Sequence, residues 1–339
     1  MSSLAEKPKV SPFSRNHLLR DASWQAVYDA MKTNPALHVF GEGAEVKARF
    51  DAPAMLADFP DRVHTMPISE DGNINFVVGA ALMGVTPIYD VISCDFLFRA
   101  MDSIVNTAAK LDGKTDDIRA DTLIGGPTTG QRPEAMFAHV PGLNVVIPST
   151  PHDAYGLMAS ALMEPGVTLY IEDRMIEDSG PWLDGDLRTG EAVSLGSIGV
   201  RRLTMRSSMR KVPLVTVITY GVMRQRAERL LAPWLESWDG DYMVEPNLSV
   251  DLLDMRSLYP LDRNDLGKML QRTRKLLIIE PDVVHGGVGA EIAAWVAEEM
   301  PDVRVKRIGA PRRVIPAAPA DHHLMLPSEE EIRDALINF

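Results

Sequence analysis

The spacing of apolar residues along this 339-residue chain alternates between two periods. Trp24, Val27, Tyr28 and Met31 follow the i, i+3, i+4, i+7 spacing of an amphipathic helix, which Asp21 can cap at its start. Buried strands and further helices are then predicted in turn, at 37–40, 74–84 (helix), 87–92, 96–111 (helix), 122–124, 143–147, 153–163 (helix) and 167–171. This order predicts a parallel sheet covered by helices on both faces.

The alternation stops and later resumes. Between Leu183 and Val212 the periodic spacing is lost and Gly, Ser and Arg accumulate, so we interpret residues 196–212 as a linker. Beyond it the pattern predicts elements at 214–219, 222–235 (helix), 250–255, 275–279, 289–300 (helix) and 303–308. The chain is therefore predicted to be an α/β protein of two doubly wound domains, at residues 1–195 and 213–339, with residues 1–20 as an N-terminal surface arm.

Composition and charge limit the possible partners. The formal net charge of −12 argues against binding to nucleic acid or to an anionic membrane surface, because both would repel the chain. No segment approaches the roughly 20 apolar residues that a membrane-spanning helix requires. The single cysteine, Cys94, excludes an internal disulfide and favours a reducing, cytoplasmic compartment.

The stretch Met-Pro-Ile-Ser-Glu-Asp-Gly at 66–72 carries the strongest chemical signal. It places Glu70 where a loop meets an almost uncharged helix, so a buried wall would hold the carboxylate. Burial and hydrogen bonding tune the charge of such a group, which suits it to move protons on a bound cofactor. The alternative is an ordinary helix start, since Ser69, Glu70 and Asp71 all suit the positive end of a helix.

Several common active-site signatures are absent from the sequence. There is no Gly-x-Gly-x-x-Gly after a strand and no Walker A motif, so the chain offers no phosphate cradle of its own. The glycines of Gly286-Gly287-Val288-Gly289 are better explained by a turn or close packing. No Cys/His ligand set is present, so we predict no zinc site and assign no metal ligand on this chain, while a structural potassium ion stays open. No serine lies in a Gly-x-Ser-x-Gly elbow, which argues against a self-contained hydrolase.

A family resemblance is carried by segments spread in order along the chain. They are Thr65–Glu70, Val78–Ala81, Asp95–Phe96 with Ala100 and Asp102, Asn106–Lys110, Pro133–His139, Pro148–Pro151, Asp254–Asp262 and Gly286–Ile292. Together they resemble the β subunit of the thiamine-diphosphate-dependent 2-oxo acid dehydrogenases, the E1 component, in the transketolase superfamily. The resemblance implies a pyrimidine-binding domain followed by a transketolase-type C-terminal domain.

The resemblance implies roles for individual residues. The glutamate matching Glu70 meets N1′ of the cofactor's aminopyrimidine and favours the imino tautomer, whose nitrogen takes the proton from the thiazolium C2. Phe96 matches the aromatic residue that stacks on the aminopyrimidine, although a plain core phenylalanine is the alternative. Glu42, at the end of the strand after the first helix, and Ile68 complete the set expected to contact thiamine diphosphate.

The resemblance also implies a partner. In the family, a Gly-Asp-Gly motif on a separate α chain holds the diphosphate and its Mg²⁺, and this sequence has no such motif. We therefore expect thiamine diphosphate and Mg²⁺ to be held largely by an α subunit in an α2β2 heterotetramer, and this chain to be inactive alone. The C-terminal domain of the family also docks a lipoyl-bearing E2 core.

The sequence departs from the family where a histidine is usual. The family's His-Ser-Gln-Ser-Pro-Glu-Ala is Thr129-Gly130-Gln131-Arg132-Pro133-Glu134-Ala135 here. A histidine can shuttle protons near neutral pH and Thr129 cannot, while His139 could replace it only after a register shift. Arg132 adds a cation suited to a carboxylate or phosphate oxygen, unless it forms a surface ion pair.

The family's longer loop is also shortened between Glu45 and Phe59, which predicts a different substrate.

Three functional hypotheses follow, and we favour the first. The chain is predicted to be the β subunit of an E1 enzyme that oxidatively decarboxylates a 2-oxo acid and passes the acyl group to lipoamide, with Glu70, Thr129 and Arg132 as its catalytic residues. The second hypothesis is a two-subunit carboligase or transketolase-like enzyme that transfers the carbanion to a carbonyl acceptor. The third is an inactive scaffold subunit, against which the presence of both Glu70 and Phe96 argues.

Overall fold

The computed structural model of the chain describes residues 19–42, 55, 57–111, 122–127, 132–176, 190–204, 214–236, 249–316, 322 and 324–339. Several predicted features lie outside the described residues: Thr129, residues 1–18 of the arm, the shortened loop at 45–54, and residues 205–212 of the linker.

Among the described residues, the first sheet has seven strands, six of them from the first half of the chain. In chain order they are Leu37–Glu42 (β1), Val63–Met66 (β2), Thr86–Asp90 (β3), Thr122–Pro127 (β4), Leu143–Val146 (β5), Val167–Glu172 (β6) and, from the second half of the chain, Ser257–Tyr259 (β10). Their order in the sheet is β10-β5-β6-β4-β3-β1-β2, and all pairs are parallel except β10 with β5. The predicted parallel α/β sheet is confirmed, with an antiparallel edge strand that was not predicted.

The second sheet has five strands. They are Gly199–Thr204 (β7), Leu214–Thr219 (β8), Ser249–Asp254 (β9), Lys275–Val283 (β11) and Arg304–Ala310 (β12), in the order β12-β11-β8-β9-β7. Only β7 runs antiparallel, against β9. Strand β7 lies inside the segment that was expected to be a linker, so those six residues form structure. The domain boundaries themselves stay a prediction.

Helices cover the sheets. They are Leu19–Thr33 (α1), Glu70–Leu82 (α2), Ala109–Leu111 (α3), Glu134–Ala138 (α4), Pro151–Ala161 (α5), Val222–Glu236 (α6), Arg263–Thr273 (α7), Val288–Glu299 (α8) and Glu329–Ile337 (α9). The helix predicted at 96–111 is a 3₁₀ segment, Cys94–Ala100, followed by a π-helical turn, Ser103–Ala108, and α3. No helix among the described residues is long and apolar enough to cross a bilayer.

The largest buried core joins the two halves of the chain. Ile74 and Val77 on α2 belong to the same apolar cluster as Ile218, Leu266 and Ile278, which come from β8, α7 and β11. The cluster also contains Cys94, which is fully buried. This shared core holds the N-terminal sheet, where the candidate site lies, in place against the C-terminal sheet.

Candidate active site

Helix α2 begins at the predicted catalytic carboxylate. Ser69 occupies the N-cap position without a side-chain hydrogen bond to the helix, and Glu70 is the first helical residue. Glu70 lies on the same helix face as the buried Ile74 and Val77, and only 7% of its surface is exposed. The predicted helix start at Ile74 is therefore one turn too late, because the first turn carries polar residues that hide the apolar face.

A second buried carboxylate, Glu42, stabilises the junction between the loop that ends at Ser69 and helix α2. Glu42 ends β1 with 1% of its surface exposed, and its Oε1 accepts three hydrogen bonds: from the Ser69 backbone N–H at 3.0 Å, from Asn73 Nδ2 at 2.9 Å and from the Tyr89 hydroxyl at 2.6 Å. Its Oε2 is buried and has no hydrogen-bond partner among the described residues. One carboxylate oxygen therefore holds the loop and the helix, while the other remains available to a further donor.

The neighbouring 3₁₀ segment presents a partly exposed aromatic ring. Ser93 caps the segment by accepting from Asp95 N, and Phe96 is 39% exposed although its neighbours Cys94 and Leu97 are fully buried. The preceding Ile92 has φ of +65°, an unusual conformation for a β-branched residue, which turns the chain sharply from β3 into this segment.

The 3₁₀ segment and α2 meet at an ion pair. The Arg99 guanidinium Nε lies 3.6 Å from Glu70 Oε2, and the Arg99 side chain is 74% exposed. Ile68, just before Glu70, is 77% exposed. The predicted residues Glu42, Ile68 and Glu70 thus lie at one junction, and Phe96 shares its 3₁₀ segment with the arginine that contacts Glu70.

Arg132 lies elsewhere and is already paired. Its guanidinium is 2.9 Å and 3.0 Å from the two carboxylate oxygens of Asp173 and 3.4 Å from Glu134 Oε1, and 7% of its side chain is exposed. Asp173 also accepts from the backbone N–H of Val222 at 2.8 Å. Arg132 is therefore in an ion pair, but a buried one that joins the two halves rather than a surface one. Its catalytic role stays a prediction, which these contacts do not favour.

Glu134, which contacts Arg132, is a buried carboxyl group with a raised pKa. Glu134 is fully buried, and burial raises its pKa to about 7 although Arg132 acts in the opposite direction. Its Oε2 and the Tyr220 hydroxyl are both buried without a hydrogen-bond partner among the described residues. Sequence reasoning included Glu134 only as part of a motif.

Sequence reasoning missed three residues of the Glu70 junction. Asn73 and Tyr89 bind Glu42, and Arg99 contacts Glu70. Asn73 gave a usable signal, since it lies three residues after Glu70 on the same helix face. Tyr89 and Arg99 gave none, because their contacts depend on how separate elements pack.

Comparison with known proteins agrees with this architecture. The family described as "Transketolase, pyrimidine binding domain" matches residues 17–176, and that described as "Transketolase, C-terminal domain" matches residues 208–332. A solved structure described as "Split gene transketolase, inactive beta4 tetramer" superposes with a TM-score of 0.75, covering 94% of this chain and 97% of that chain. Its sequence identity is 20%, so the likeness concerns the fold.

Two curated relatives are similar over almost their full length. The 2-oxoisovalerate dehydrogenase subunit beta of Bacillus subtilis is 30% identical, with 88% of this chain and 90% of the relative aligned. The mitochondrial 2-oxoisovalerate dehydrogenase subunit beta 2 of Arabidopsis thaliana is 29% identical, with 98% and 92% aligned. The chain therefore belongs to the family of 2-oxo acid dehydrogenase β subunits, which combine a transketolase pyrimidine-binding domain with a transketolase C-terminal domain.

Proposed function

We propose that this chain is the β subunit of a thiamine-diphosphate-dependent E1 enzyme that oxidatively decarboxylates a 2-oxo acid and transfers the acyl group to lipoamide. The observation that carries the proposal is the junction at the start of α2, where Glu70 is buried and Glu42 accepts hydrogen bonds from the neighbouring Ser69 backbone and Asn73. Family membership supports the reaction class, and the junction supports a working rather than an inactive site.

The residues at this junction fit the aminopyrimidine of the cofactor. A flat heterocycle with ring nitrogens needs an apolar surface and a polar group at its edge, and Phe96, Ile68 and Glu70 offer these. The Oε2 of Glu42 is an acceptor that no described residue meets with a hydrogen bond. Such an oxygen is costly to bury unless a ligand or another donor meets it.

Each residue then has a defined task. When bound, thiamine diphosphate supplies the carbon nucleophile that adds to the 2-oxo acid. Glu70 would hold the ring at N1′ of the aminopyrimidine and exchange a proton with it through its carboxylate. Phe96 and Ile68 orient the ring and keep water from it. Glu42 keeps Glu70 in place through the Ser69 backbone and Asn73.

The proposal includes a partner and a compartment. The sequence has no Gly-Asp-Gly motif, so an α subunit would hold Mg²⁺ and the diphosphate in an α2β2 heterotetramer, and a lipoyl-bearing E2 would accept the acyl group. A cytoplasmic location remains part of the proposal, on the basis of the single cysteine.

A second function is favoured by one observation. Thr129 stands where the family has a proton-shuttling histidine, which would impair transfer to lipoamide more than decarboxylation. The alternative is a two-subunit carboligase or transketolase-like enzyme that passes the carbanion to a carbonyl acceptor.

One assay separates these functions. The chain would be co-expressed with an α-type subunit and given thiamine diphosphate, Mg²⁺ and a panel of 2-oxo acids, while acylation of a lipoyl domain and reduction of an artificial electron acceptor are measured. We expect turnover in both assays. Decarboxylation without lipoyl acylation, together with C–C bond formation from added aldehydes, would favour the carboligase. No turnover of any 2-oxo acid or carbonyl donor would contradict both.

Matched variants tie the activity to the junction. We expect Glu70→Gln, which keeps the shape of the side chain, to lower kcat by roughly 10²- to 10⁴-fold, because general acid–base groups contribute about that much. Asp71→Asn removes the neighbouring charge from the same helix turn and should change kcat by no more than a few fold. Equal losses in both variants would show that helix charge, rather than proton transfer at Glu70, is responsible.

A further inference from the structure

A cavity in the C-terminal domain has no role in the proposed reaction. It has a volume of about 480 Å³ and lies where β11 and β12 end, with His285, Arg307 and Arg312 among its lining residues. The size is within the range of pockets that hold small organic ligands, about 300–1,000 Å³.

The charge around this cavity is opposite to that of the chain. The segment Arg304-Val305-Lys306-Arg307-Ile308-Gly309-Ala310-Pro311-Arg312-Arg313 has five basic residues and no acidic one, in a chain with a net charge of −12. Charged side chains on an edge strand such as β12 protect it from pairing with other strands, which explains Arg304 and Lys306. That explanation does not extend to Arg312, which follows the strand and lines the cavity.

One wall of the cavity is held rigidly. The Arg307 guanidinium bonds Glu280 Oε2 at 3.1 Å and also the Val284 carbonyl, which ties β12 to the turn after β11. A side chain at Gly309 would lie 2.8 Å from the Asp282 carbonyl, so only glycine lets the turn lie this close to β12. Arg307 thus shapes the cavity, and its charge is balanced by Glu280.

The backbone N–H groups at the amino end of α8 do not explain why a ligand would bind in this cavity. Glu280 Oε1 already accepts from the Gly289 N–H at 2.8 Å, and side chains at Gly287 or Gly289 would collide with the same carboxylate. The glycines of this motif therefore permit close packing, as predicted. In contrast, neither Arg312 nor His285 makes an ion pair with another described residue, and both line the cavity.

We propose that this cavity binds a small organic oxyanion, with Arg312 and His285 as its hydrogen-bond donors and Val284 and Pro311 as an apolar wall for the rest of the ligand. A guanidinium can give a phosphate or carboxylate group two parallel hydrogen bonds. None of the residues that line the cavity belongs to the Glu70 junction, and its occupation involves no turnover.

Calorimetric titration of the full-length chain with phenyl phosphate at low salt tests the proposal. We expect saturable binding of one molecule per chain, tighter than binding of inorganic phosphate, which lacks an apolar body. Benzoate distinguishes the two sources of the oxyanion, since the stronger of the two aromatic ligands identifies phosphate or carboxylate as the preferred group. Absence of saturable binding for both aromatic ligands would overturn the proposal.

Two adjacent arginines provide a matched pair of variants. Arg312→Gln should weaken the binding of the preferred ligand about tenfold, which corresponds to roughly 1.4 kcal/mol. Arg313→Gln removes the same charge from a residue that does not line the cavity and should change affinity less than twofold. Equal losses would mean general attraction to a basic surface and would also overturn the proposal. Because no catalysis is measured, either result leaves the proposed dehydrogenase reaction to its own test.

Discussion

At the scale of single residues, Glu42 shows how one buried carboxylate can serve two purposes. Its Oε1 accepts all three hydrogen bonds from the described residues, and its Oε2 accepts none of them. Glutamine has the same shape, so Glu42→Gln can keep the three bonds to Oε1 while replacing Oε2 by an NH₂ group. The substitution therefore separates holding the junction from binding a ligand.

We expect Glu42→Gln to change the free energy of unfolding by less than about 1 kcal/mol, because it removes a buried charge while keeping the shape and the three accepted bonds. In the α/β complex it should weaken thiamine diphosphate binding tenfold or more, the effect of losing a hydrogen bond to a charged acceptor worth about 1.5–3 kcal/mol. Chemical denaturation and cofactor titration measure the two quantities.

Tyr89→Phe is the control for the structural part. It removes the 2.6 Å hydrogen bond to Oε1, and we expect it to lower the free energy of unfolding by about 1.5–3 kcal/mol. If Glu42→Gln bound the cofactor as tightly as the unmodified chain, Oε2 would have no ligand to accept from, and the assignment of Glu42 to the cofactor site would fail.

The candidate residues of the site are easier to predict from the sequence than the residues that contact them. Glu70 and Phe96 were predicted because short motifs around them resemble a family, and motifs are local in the chain. The contact from Glu42 to Tyr89 spans 47 positions and could not be read from spacing. Arg132 was expected to be a free or surface cation. Its burial could not be foreseen from the sequence, because it depends on a hydrogen bond to Asp173, 41 positions away.

At the scale of elements, the edge of the first sheet carries a histidine pair that links β1 to β2. His38 Nδ1 and His64 Nε2 are 2.9 Å apart, and the two rings are parallel within 1°. His64 also stacks on Phe40, with ring centroids 4.7 Å apart. A hydrogen bond between two imidazoles requires that at least one is neutral, so this contact depends on pH.

The pair should make the chain less stable in acid. Burial lowers the pKa of both histidines, and the neighbouring charges of His64 and Arg62 lower that of His38 further, while Asp61 opposes the shift at His64. With folded pKa values below the unfolded value of about 6.5, the unfolded chain binds more protons as pH falls. The contribution of the pair is therefore complete above about pH 6.5 and is lost as pH falls below it.

Urea unfolding at pH 8 and pH 5.5 measures this loss by comparison with His64→Gln. We expect acidification to destabilise the unmodified chain more than the variant. The difference between the two is the useful quantity, because burial raises the pKa values of Glu134 and Asp254 to about 7, which adds stability at low pH in both proteins. The exposed His139, changed to Gln, is the control. If His64→Gln lost as much stability as the unmodified chain, the pair would not be the source.

Three of the elements that were missed lack the broad apolar pattern on which the prediction depends. Strands β7 and β10 are short edge strands that run antiparallel, and β7 contains two arginines, so neither shows the apolar run of a central strand. Helix α7 buries only Leu266, Leu270 and Thr273, which gives a narrow apolar face among many charged residues. Elements buried on both faces, such as β6 and β9, were predicted within one or two residues.

At the scale of the whole molecule, buried hydrogen bonds join the two sheets in addition to the shared core. The Ser149 hydroxyl, at the end of the segment after β5, donates to Asp254 Oδ1 at 2.9 Å and accepts from the Gly221 N–H at 2.9 Å. Asp254 ends β9, and Gly221 has φ of +56° at the turn into α6. One small side chain thus contacts the carboxyl ends of two strands in the other sheet.

This arrangement predicts that the two halves unfold together. Ser149→Ala would leave the Gly221 N–H and one oxygen of Asp254 buried without their partner, and we expect a loss of about 2–4 kcal/mol in the free energy of unfolding. Ser160→Ala, at a buried serine on α5 that makes no contact with the second sheet in the hydrogen bonds described, should cost less than about 1 kcal/mol.

Hydrogen exchange measures whether Ser149→Ala destabilises both halves of the chain. If the halves form one cooperative unit, Ser149→Ala should accelerate exchange equally in the slowest amides of β6 and of β8, because both exchange through global unfolding. Acceleration confined to β8 would show that the C-terminal half unfolds by itself, and the shared core would then not couple the sheets. Coupling has a functional consequence, since the carboxyl edge of the first sheet also carries Asp173, which pairs with Arg132 of the candidate catalytic segment Thr129–Ala135.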